Sequence, residues 1–171
     1  MGLIGVVFRG GVSLDGAMRT DVDVDGSDST DRIVQMVKSS AHHRQLRVIM
    51  LDSVTVAGFN IVDIGRLYDE IHLPVMSVNR EKPCQIDVKK ALANLPDGEE
   101  KWRMIENAGE LVEIRVGGTR LYSHVVGMSR ENAAEIIRIS STRANYPEPL
   151  RVAHILAHGL CGGITNTIKS K

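Results

Sequence analysis

The chain has 171 residues, and 43% of them are hydrophobic, which is enough for one well-buried core and too few for two. Its 21 basic and 21 acidic residues give a formal net charge of zero, so any nucleic-acid partner must be held by a local patch rather than by a global field. Aromatic residues make up only 4% of the chain, which argues against a base-stacking platform for single strands.

No targeting or membrane-spanning pattern stands out. The apolar run from Leu3 to Phe8 is too short for a signal-peptide core or a membrane span. Two cysteines, Cys84 and Cys161, are too few and too unpatterned for a disulfide framework or a zinc site, which fits a reducing compartment. We therefore expect a cytoplasmic protein with no membrane partner.

The chain opens with a pattern typical of an antiparallel hairpin. The string GLIGVVF predicts a strand, the pair Gly10 and Gly11 supplies the positive φ that a tight turn needs, and a second strand is expected from about Leu14 to Val24. Period-two alternation would then place three aspartates, Asp21, Asp23 and Asp25, on one face of that second strand.

A helix is predicted next. Asp28 offers an N-cap oxygen, Asp31 falls in the first turn, where the macrodipole favours a carboxylate, and the apolar stripe consists of Ile33, Val34, Met36 and Val37. Capping alone explains Asp28. For Asp31 a second role stays open, because its side chain would project from the start of the helix.

Two apolar runs form the centre of the chain. Val48 to Leu51 ends on Asp52, and after a helical interval Pro74 to Val78 ends on a polar segment that begins at Asn79. Two short strands joined by such a crossover lie parallel in one sheet, so their polar tails emerge at the same edge. Open α/β sheets place their sites at this edge.

The second half alternates helices and a hairpin. Helices are predicted near residues 85–94 and 99–107, the strings LVEIRV and TRLYSHVV flank two glycines in a hairpin pattern, Ser129 caps a helix, and a last helix opens at Tyr146. The tail from Gly159 is predicted to fray. The architecture is one α/β domain with an opening antiparallel hairpin, a parallel core and flanking helices.

Candidate chemistry is confined to the strand ends, because no glycine-rich phosphate loop and no nucleophile elbow is present. Asp52 would face Arg80, Glu81 and Lys82 across one crevice. Hard carboxylate oxygens suit Mg²⁺ or Mn²⁺, and neighbouring cations would offset charge on a phosphoryl group. The alternative is that Asp52 caps the following loop and that Arg80 pairs with Glu81 at the surface.

Several strings in register resemble a known family. They are LIGVVFRGG, VDGSDSTDRI, VIMLDSVTVAGFNIVDI, PVMSVNREKP and YPEPLRVAHILA. They resemble the largely archaeal family catalogued as domain of unknown function ninety-nine, which is similar to endonuclease V. The resemblance spans nearly the whole chain and implies a single ribonuclease H-like domain over residues 1–171. It also implies a metal-dependent endonuclease that acts on deaminated or altered nucleic acid, as in DNA repair.

The resemblance carries functional residues onto this sequence. It implies that Asp52 and Asp31 are ligands of Mg²⁺ or Mn²⁺, and that Arg80 and Lys82 join them as catalytic residues. Nucleic acid would be bound by a set of four cations, namely Arg80, Lys82, Arg143 and Arg151. Combined with strand direction, this predicts that Asp52, Asp31 and Arg80 lie around one cleft.

Departures from the family pattern carry their own expectations. Members open with a further strand bearing Asp, whereas this sequence starts at the second strand, so we expect weak metal binding and weak or no nuclease activity. A glycine of the family is Ser53 here, and a histidine expected near Gly127 has only His124 as a substitute.

Two other functions stay open at this point. One is a non-catalytic protein of the same fold that binds nucleic acid or a small anionic ligand. The other is a flavodoxin-like ligand domain, which a sheet with the opening strands parallel to the rest would favour.

Overall fold

The computed structural model describes residues 1–161. Nine strands and six helices follow one another in this part of the chain: β1 Gly2–Arg9, β2 Ser13–Asp21, α1 Ser29–Ser39, β3 Ile49–Leu51, β4 Thr55–Val56, β5 Asn60–Ile61, α2 Ile64–Ile71, β6 Val75–Ser77, α3 Gln85–Leu92, α4 Gly98–Asn107, β7 Val112–Val116, β8 Thr119–Ser123, β9 Val125–Val126, α5 Arg130–Ser140 and α6 Glu148–Cys161. The predicted mixed α/β architecture is confirmed. Of the tail predicted to fray, Gly159–Cys161 belongs to α6, and the rest lies outside the described residues.

The opening hairpin is confirmed. β1 and β2 pair antiparallel from Gly2 opposite Asp21 to Arg9 opposite Ser13. Gly10 and Gly11 have φ values of 59° and 76°, which a residue with a side chain rarely adopts, and this explains the turn. The antiparallel arrangement removes the feature that would have favoured a flavodoxin-like domain.

The central sheet has the order β3-β6-β9. β3 and β6 run parallel, as predicted, with Leu51 opposite Ser77, and β9 pairs antiparallel with β6. Beyond β6 the backbone of Asn79 pairs with that of Tyr122 in β8, which attaches the β7-β8 hairpin to the sheet on the same side of β6 as β9.

Each face of this sheet is covered by a separate apolar cluster. One contains Val75 together with the apolar residues of α1 and α2, including Ile33 and Leu67. The other contains Met76, the β7-β8 hairpin, α5 and Tyr146. Because successive side chains of a strand point to opposite faces, the consecutive residues Val75 and Met76 separate the two clusters.

Three local predictions need correction. β2 ends at Asp21 rather than Val24, and Asp25 has a φ of 55°, so the three aspartates do not share a strand face. Asp28 makes no side-chain capping bond, because its carboxylate accepts from the Asp23 amide and the Asn60 side chain instead. The interval after β3 begins with the short β4-β5 hairpin, and only then does the helix α2 start.

The second half follows the prediction closely. α4 begins at Gly98, the β7-β8 hairpin turns at Gly117, which has a φ of 57°, and the Ser129 side chain accepts from the Asn132 amide to cap α5. Within residues 1–161, no helix is both long and apolar enough to cross a membrane.

Candidate functional site

Asp52 and Arg80 emerge at the same edge of the central sheet, because β3 and β6 are parallel and each residue follows the end of its strand. Alternation along β3 directs the Asp52 side chain to the face that carries Tyr146. Both residues are exposed, so this edge presents a carboxylate and a guanidinium to solvent.

Tyr146 joins these two side chains. Its ring is 2% exposed, and its hydroxyl donates a hydrogen bond to Asp52 Oδ1 and lies 3.2 Å from the carbonyl oxygen of Val78. The Arg80 guanidinium carbon lies 3.8 Å from the centre of the same ring. Burial, together with the bond to Asp52, raises the pKa of the Tyr146 phenol far above its ordinary value, so the hydroxyl stays protonated and donates.

The stacked arrangement leaves the donors of Arg80 available. No carboxylate lies within 4.0 Å of its guanidinium nitrogens in the described part of the chain, so Arg80 pairs with neither Glu81 nor Asp52. A guanidinium held by its face against an aromatic ring keeps its N–H groups in the plane, where they match the oxygens of a phosphate. The alternative of a surface ion pair between Arg80 and Glu81 is therefore not what the fold contains.

Asp31 is not brought to the face of the sheet that carries Asp52 and Tyr146. It lies in the first turn of α1, and its carboxylate binds Arg66 of α2, on the helix pair that covers the opposite face of the sheet. The expectation that Asp31, Asp52 and Arg80 share one cleft is thus met only by Asp52 and Arg80. The reason is the packing of α1, which turns the start of the helix toward α2.

The other predicted cations differ in their availability. Lys82 is exposed and has no carboxylate partner among residues 1–161. Arg151 binds Glu148 through two bonds of 2.7 and 2.6 Å, and Arg143 lies 3.8 Å from the same carboxylate. The bond from Arg151 lowers the pKa of Glu148, whose side chain is 7% exposed, so this charge is largely neutralised within the pair.

The described residues do not fit a resident metal ion. No three His, Cys, Asp or Glu side chains come together between residues 1 and 161, and Asp52 is the one carboxylate there that bonds to Tyr146. His124 does not substitute for a site histidine, because its ring is buried and its Nδ1 lies 3.1 Å from the carbonyl oxygen of Gly109. One carboxylate holds Mg²⁺ only together with water and substrate oxygens.

Sequence reasoning missed Tyr146 as a site residue. Its position before Pro147 marks only the start of a helix, and the contact with Asp52 joins residues 94 positions apart. The one usable signal is the general one that a buried tyrosine finds a partner for its hydroxyl.

Several known proteins are similar to this chain in sequence. The family described as Endonuclease dU matches residues 1–161. A UPF0215 protein of Methanosarcina mazei is 45% identical over 163 residues, which cover 94% of this chain and 83% of the relative. A UPF0215 protein of Methanothermobacter thermautotrophicus is 48% identical over 162 residues, covering 94% and 79%. The predicted relationship to this archaeal family is confirmed.

Solved structures show the same fold. The crystal structure of a protein of unknown function from Archaeoglobus fulgidus has a TM-score of 0.88 at 34% identity and covers 95% of this chain and 91% of its own. Human endonuclease V has a TM-score of 0.54 at 16% identity, with coverage of 92% and 82%, and confirms the endonuclease V-like fold. The match to a family described as an endonuclease suggests a divalent metal cofactor and a nucleic-acid ligand. On the family match and these relatives, the chain belongs to the Endonuclease dU family.

Proposed function

We propose that this protein is an endonuclease V-like nuclease whose ligand is DNA containing deoxyuridine, or another deaminated base, and that it hydrolyses a phosphodiester at the edge formed by Asp52, Arg80 and Tyr146. The observation that carries the proposal is the contact of one buried tyrosine with both a carboxylate and a cation that has no carboxylate partner among residues 1–161. The family name supports the choice of deoxyuridine over other lesions.

Each of the three side chains has a distinct role. Arg80 binds the phosphate through its free N–H donors and offsets the charge that develops on the phosphoryl oxygens. Asp52 accepts a proton from the attacking water through the oxygen that Tyr146 leaves free. Tyr146 is a positioning residue, because it fixes the rotamer of Asp52 and supports the plane of Arg80 without reaching the substrate itself.

A metal ion, Mg²⁺ or Mn²⁺, would polarise a phosphoryl oxygen if it were bound. The described residues contribute Asp52 alone to such a site, so we expect metal binding by the free protein to be weak, with a Kd above about 1 mM. Cleavage by the chain of 171 residues is accordingly expected to be slow.

A second candidate is a protein that binds uracil-containing DNA without cutting it. The described residues bring one carboxylate to the site, which favours this candidate, since phosphate binding needs only Arg80 whereas hydrolysis also needs Asp52. Binding and cleavage must therefore be measured separately.

The test uses two matched pairs of oligonucleotides, single-stranded and duplex, that differ by one uracil in place of thymine. We expect tighter binding of the uracil form, and cleavage that depends on Mn²⁺ or Mg²⁺. Arg80→Ala should weaken binding by about tenfold, the equivalent of one charge-assisted contact to phosphate. Asp52→Asn should abolish cleavage and leave binding and melting temperature nearly unchanged.

Asp31→Asn serves as the comparison for Asp52→Asn, because both remove one carboxylate and Asp31 lies with Arg66 on the other face. We expect Asp31→Asn to leave cleavage intact. Loss of cleavage in Asp31→Asn at an unchanged melting temperature would instead support the ligand role that the family resemblance implies. Cleavage undiminished in Asp52→Asn would place the chemistry elsewhere.

A further inference from the structure

The cations that lack a carboxylate partner are concentrated in one stretch. In the described part of the chain, most basic side chains lie within 4.0 Å of an acidic one. Eight of those in residues 1–161 do not, and five of the eight lie between residues 80 and 103, namely Arg80, Lys82, Lys89, Lys90 and Arg103, whereas the other three are Arg44, Arg47 and Arg120. Because the whole chain has no net charge, a polyanion would have to be attracted by a local group of such unpaired cations.

Helix α3 presents two of these unpaired cations, Lys89 and Lys90, on its outer face. Leu92 is buried and Val88 half-buried on the inner face of α3, whereas Ile86, Lys89 and Lys90 are exposed. The spacing of three and four residues places these three on one side of the helix. Ile86 is 67% exposed, so an apolar side chain lies beside the two lysines.

Helix α3 follows the candidate site closely along the chain. Only four residues, 81–84, separate Arg80 from the first residue of α3, so the start of α3 lies no more than about 18 Å from Arg80. That distance corresponds to a few nucleotides of an extended strand. Asp87 is the one acidic side chain on α3, and it lies in the first turn, where it favours the helix macrodipole.

Lys89 is held in place by an aromatic ring. Its Nζ lies 5.0 Å from the centre of the Trp102 ring in α4, so the ammonium group is oriented without being neutralised. Lys90 has no carboxylate partner in residues 1–161, and α3 is packed mainly on α4. The helix thus carries two available positive charges on a rigid support.

We propose that the outer face of α3 binds the nucleic-acid strand that flanks the phosphate held by Arg80. Lys89 and Lys90 contact successive phosphates, and Ile86 contacts the apolar surface of an unstacked base or sugar. The inference rests on the proposed function, because its ligand is the same nucleic acid, but it concerns binding and requires no cleavage.

The experiment compares two double variants of equal charge change. Lys89→Gln with Lys90→Gln removes two cations from α3. Arg44→Gln with Arg47→Gln removes two exposed cations, also without a carboxylate partner in the described residues, before β3 at the opposite edge of the sheet. Affinity for a fluorescent uracil-containing single strand is measured over a series of salt concentrations, and thermal unfolding verifies each fold.

We expect the α3 variant to bind at least tenfold more weakly at low salt, and the slope of log affinity against log salt to fall by about 1.5, since each lysine releases about 0.7–0.9 counterions. The control variant should keep the wild-type slope. Ile86→Ser should weaken binding without changing the slope, because an apolar contact releases no counterions. Lys90→Gln alone, which removes no side-chain contact, guards against loss of fold through the Trp102 contact.

Three results would overturn the inference. If the two double variants lose affinity equally, the effect is one of total charge and α3 is not a specific surface. If the α3 variant binds the oligonucleotide as tightly as the wild type does but no longer binds anionic vesicles, the outer face of α3 binds a membrane and not nucleic acid. If Arg80→Ala loses binding and the α3 variant does not, Arg80 belongs to the binding site and the outer face of α3 does not. If the wild type binds no nucleic acid at all, the proposed function itself is wrong.

Discussion

Tyr146 is the residue on which the candidate site depends, because it contacts the ends of both central strands. Its hydroxyl binds Asp52 after β3 and lies 3.2 Å from the Val78 carbonyl after β6, and its ring supports Arg80. Removal of the hydroxyl separates these functions, since phenylalanine keeps the stacking surface and loses the hydrogen bond. The role of Tyr146 is therefore open to a test that does not require nuclease activity.

We predict that Tyr146→Phe and Asp52→Ala are energetically coupled. Each change removes one partner of the same hydrogen bond, whereas asparagine at position 52 would keep an accepting oxygen. The double variant should therefore lose about 1 kcal/mol less unfolding free energy than the sum of the two single variants. Urea denaturation of the four proteins measures this coupling. Tyr122→Phe, combined with Asp52→Ala, should be additive, because in the described residues it is the Tyr146 hydroxyl, and not that of Tyr122, that bonds to Asp52. Additivity for Tyr146→Phe as well would remove its positioning role.

At the scale of single elements, local sequence patterns were sufficient wherever local geometry decides the structure. The turn at Gly10 and Gly11 and the cap at Ser129 depend on residues within a few positions of each other, and both follow the prediction. The segment after β2 does not, because its partners are remote in sequence: the Lys101 ammonium donates to the Asp25 carbonyl oxygen at 2.6 Å, across 76 residues. A period-two pattern carries no information about such a contact.

Lys101 connects helix α4 to the segment that follows β2. It is 2% exposed, and its ammonium group binds both the Asp25 carbonyl and the Asp97 carboxylate, the latter at 2.9 Å. Lys101→Met should lower the unfolding free energy by about 1–3 kcal/mol, because the partly buried bond to the Asp25 carbonyl and the ion pair with Asp97 are both lost. Chemical denaturation measures the loss. Arg103→Met, on the same helix but exposed and without a carboxylate partner in residues 1–161, is the control and should change stability by less than about 0.5 kcal/mol.

At the scale of the whole molecule, the sequence was enough to predict which edge of the sheet carries the site, but it was not enough to predict which side chains meet there. Parallel pairing of β3 and β6 follows from two apolar runs and a crossover, so Asp52 and Arg80 could be placed together. Tyr146 and Asp31 could not be placed, because the first arrives from a distant segment and the second depends on how α1 packs against α2. Packing between elements, rather than the elements themselves, decides the site.

His124 gives the molecule a predicted response to pH. Burial of its ring, which is the main cause, lowers the pKa of His124 below its ordinary value, although the Gly109 carbonyl opposes the change. The fold therefore favours the neutral ring. Above about pH 6.5 the unfolded chain is neutral at this residue too and stability is complete, whereas below that pH the unfolded state takes up the proton first and stability falls.

We expect the unfolding free energy to decline from about pH 6.5 downward, by at most about 1.4 kcal/mol for each pH unit from this one group. The carboxylates with lowered pKa values, including Asp97 and Glu148, lose their contribution only near pH 4 and below, so the two ranges are separate. Urea denaturation at several pH values between about 6.5 and about 4 measures the slope of the unfolding free energy against pH. His124→Gln should flatten it while the exposed His154→Gln leaves it unchanged, and a slope that persists in His124→Gln would assign the proton to another group.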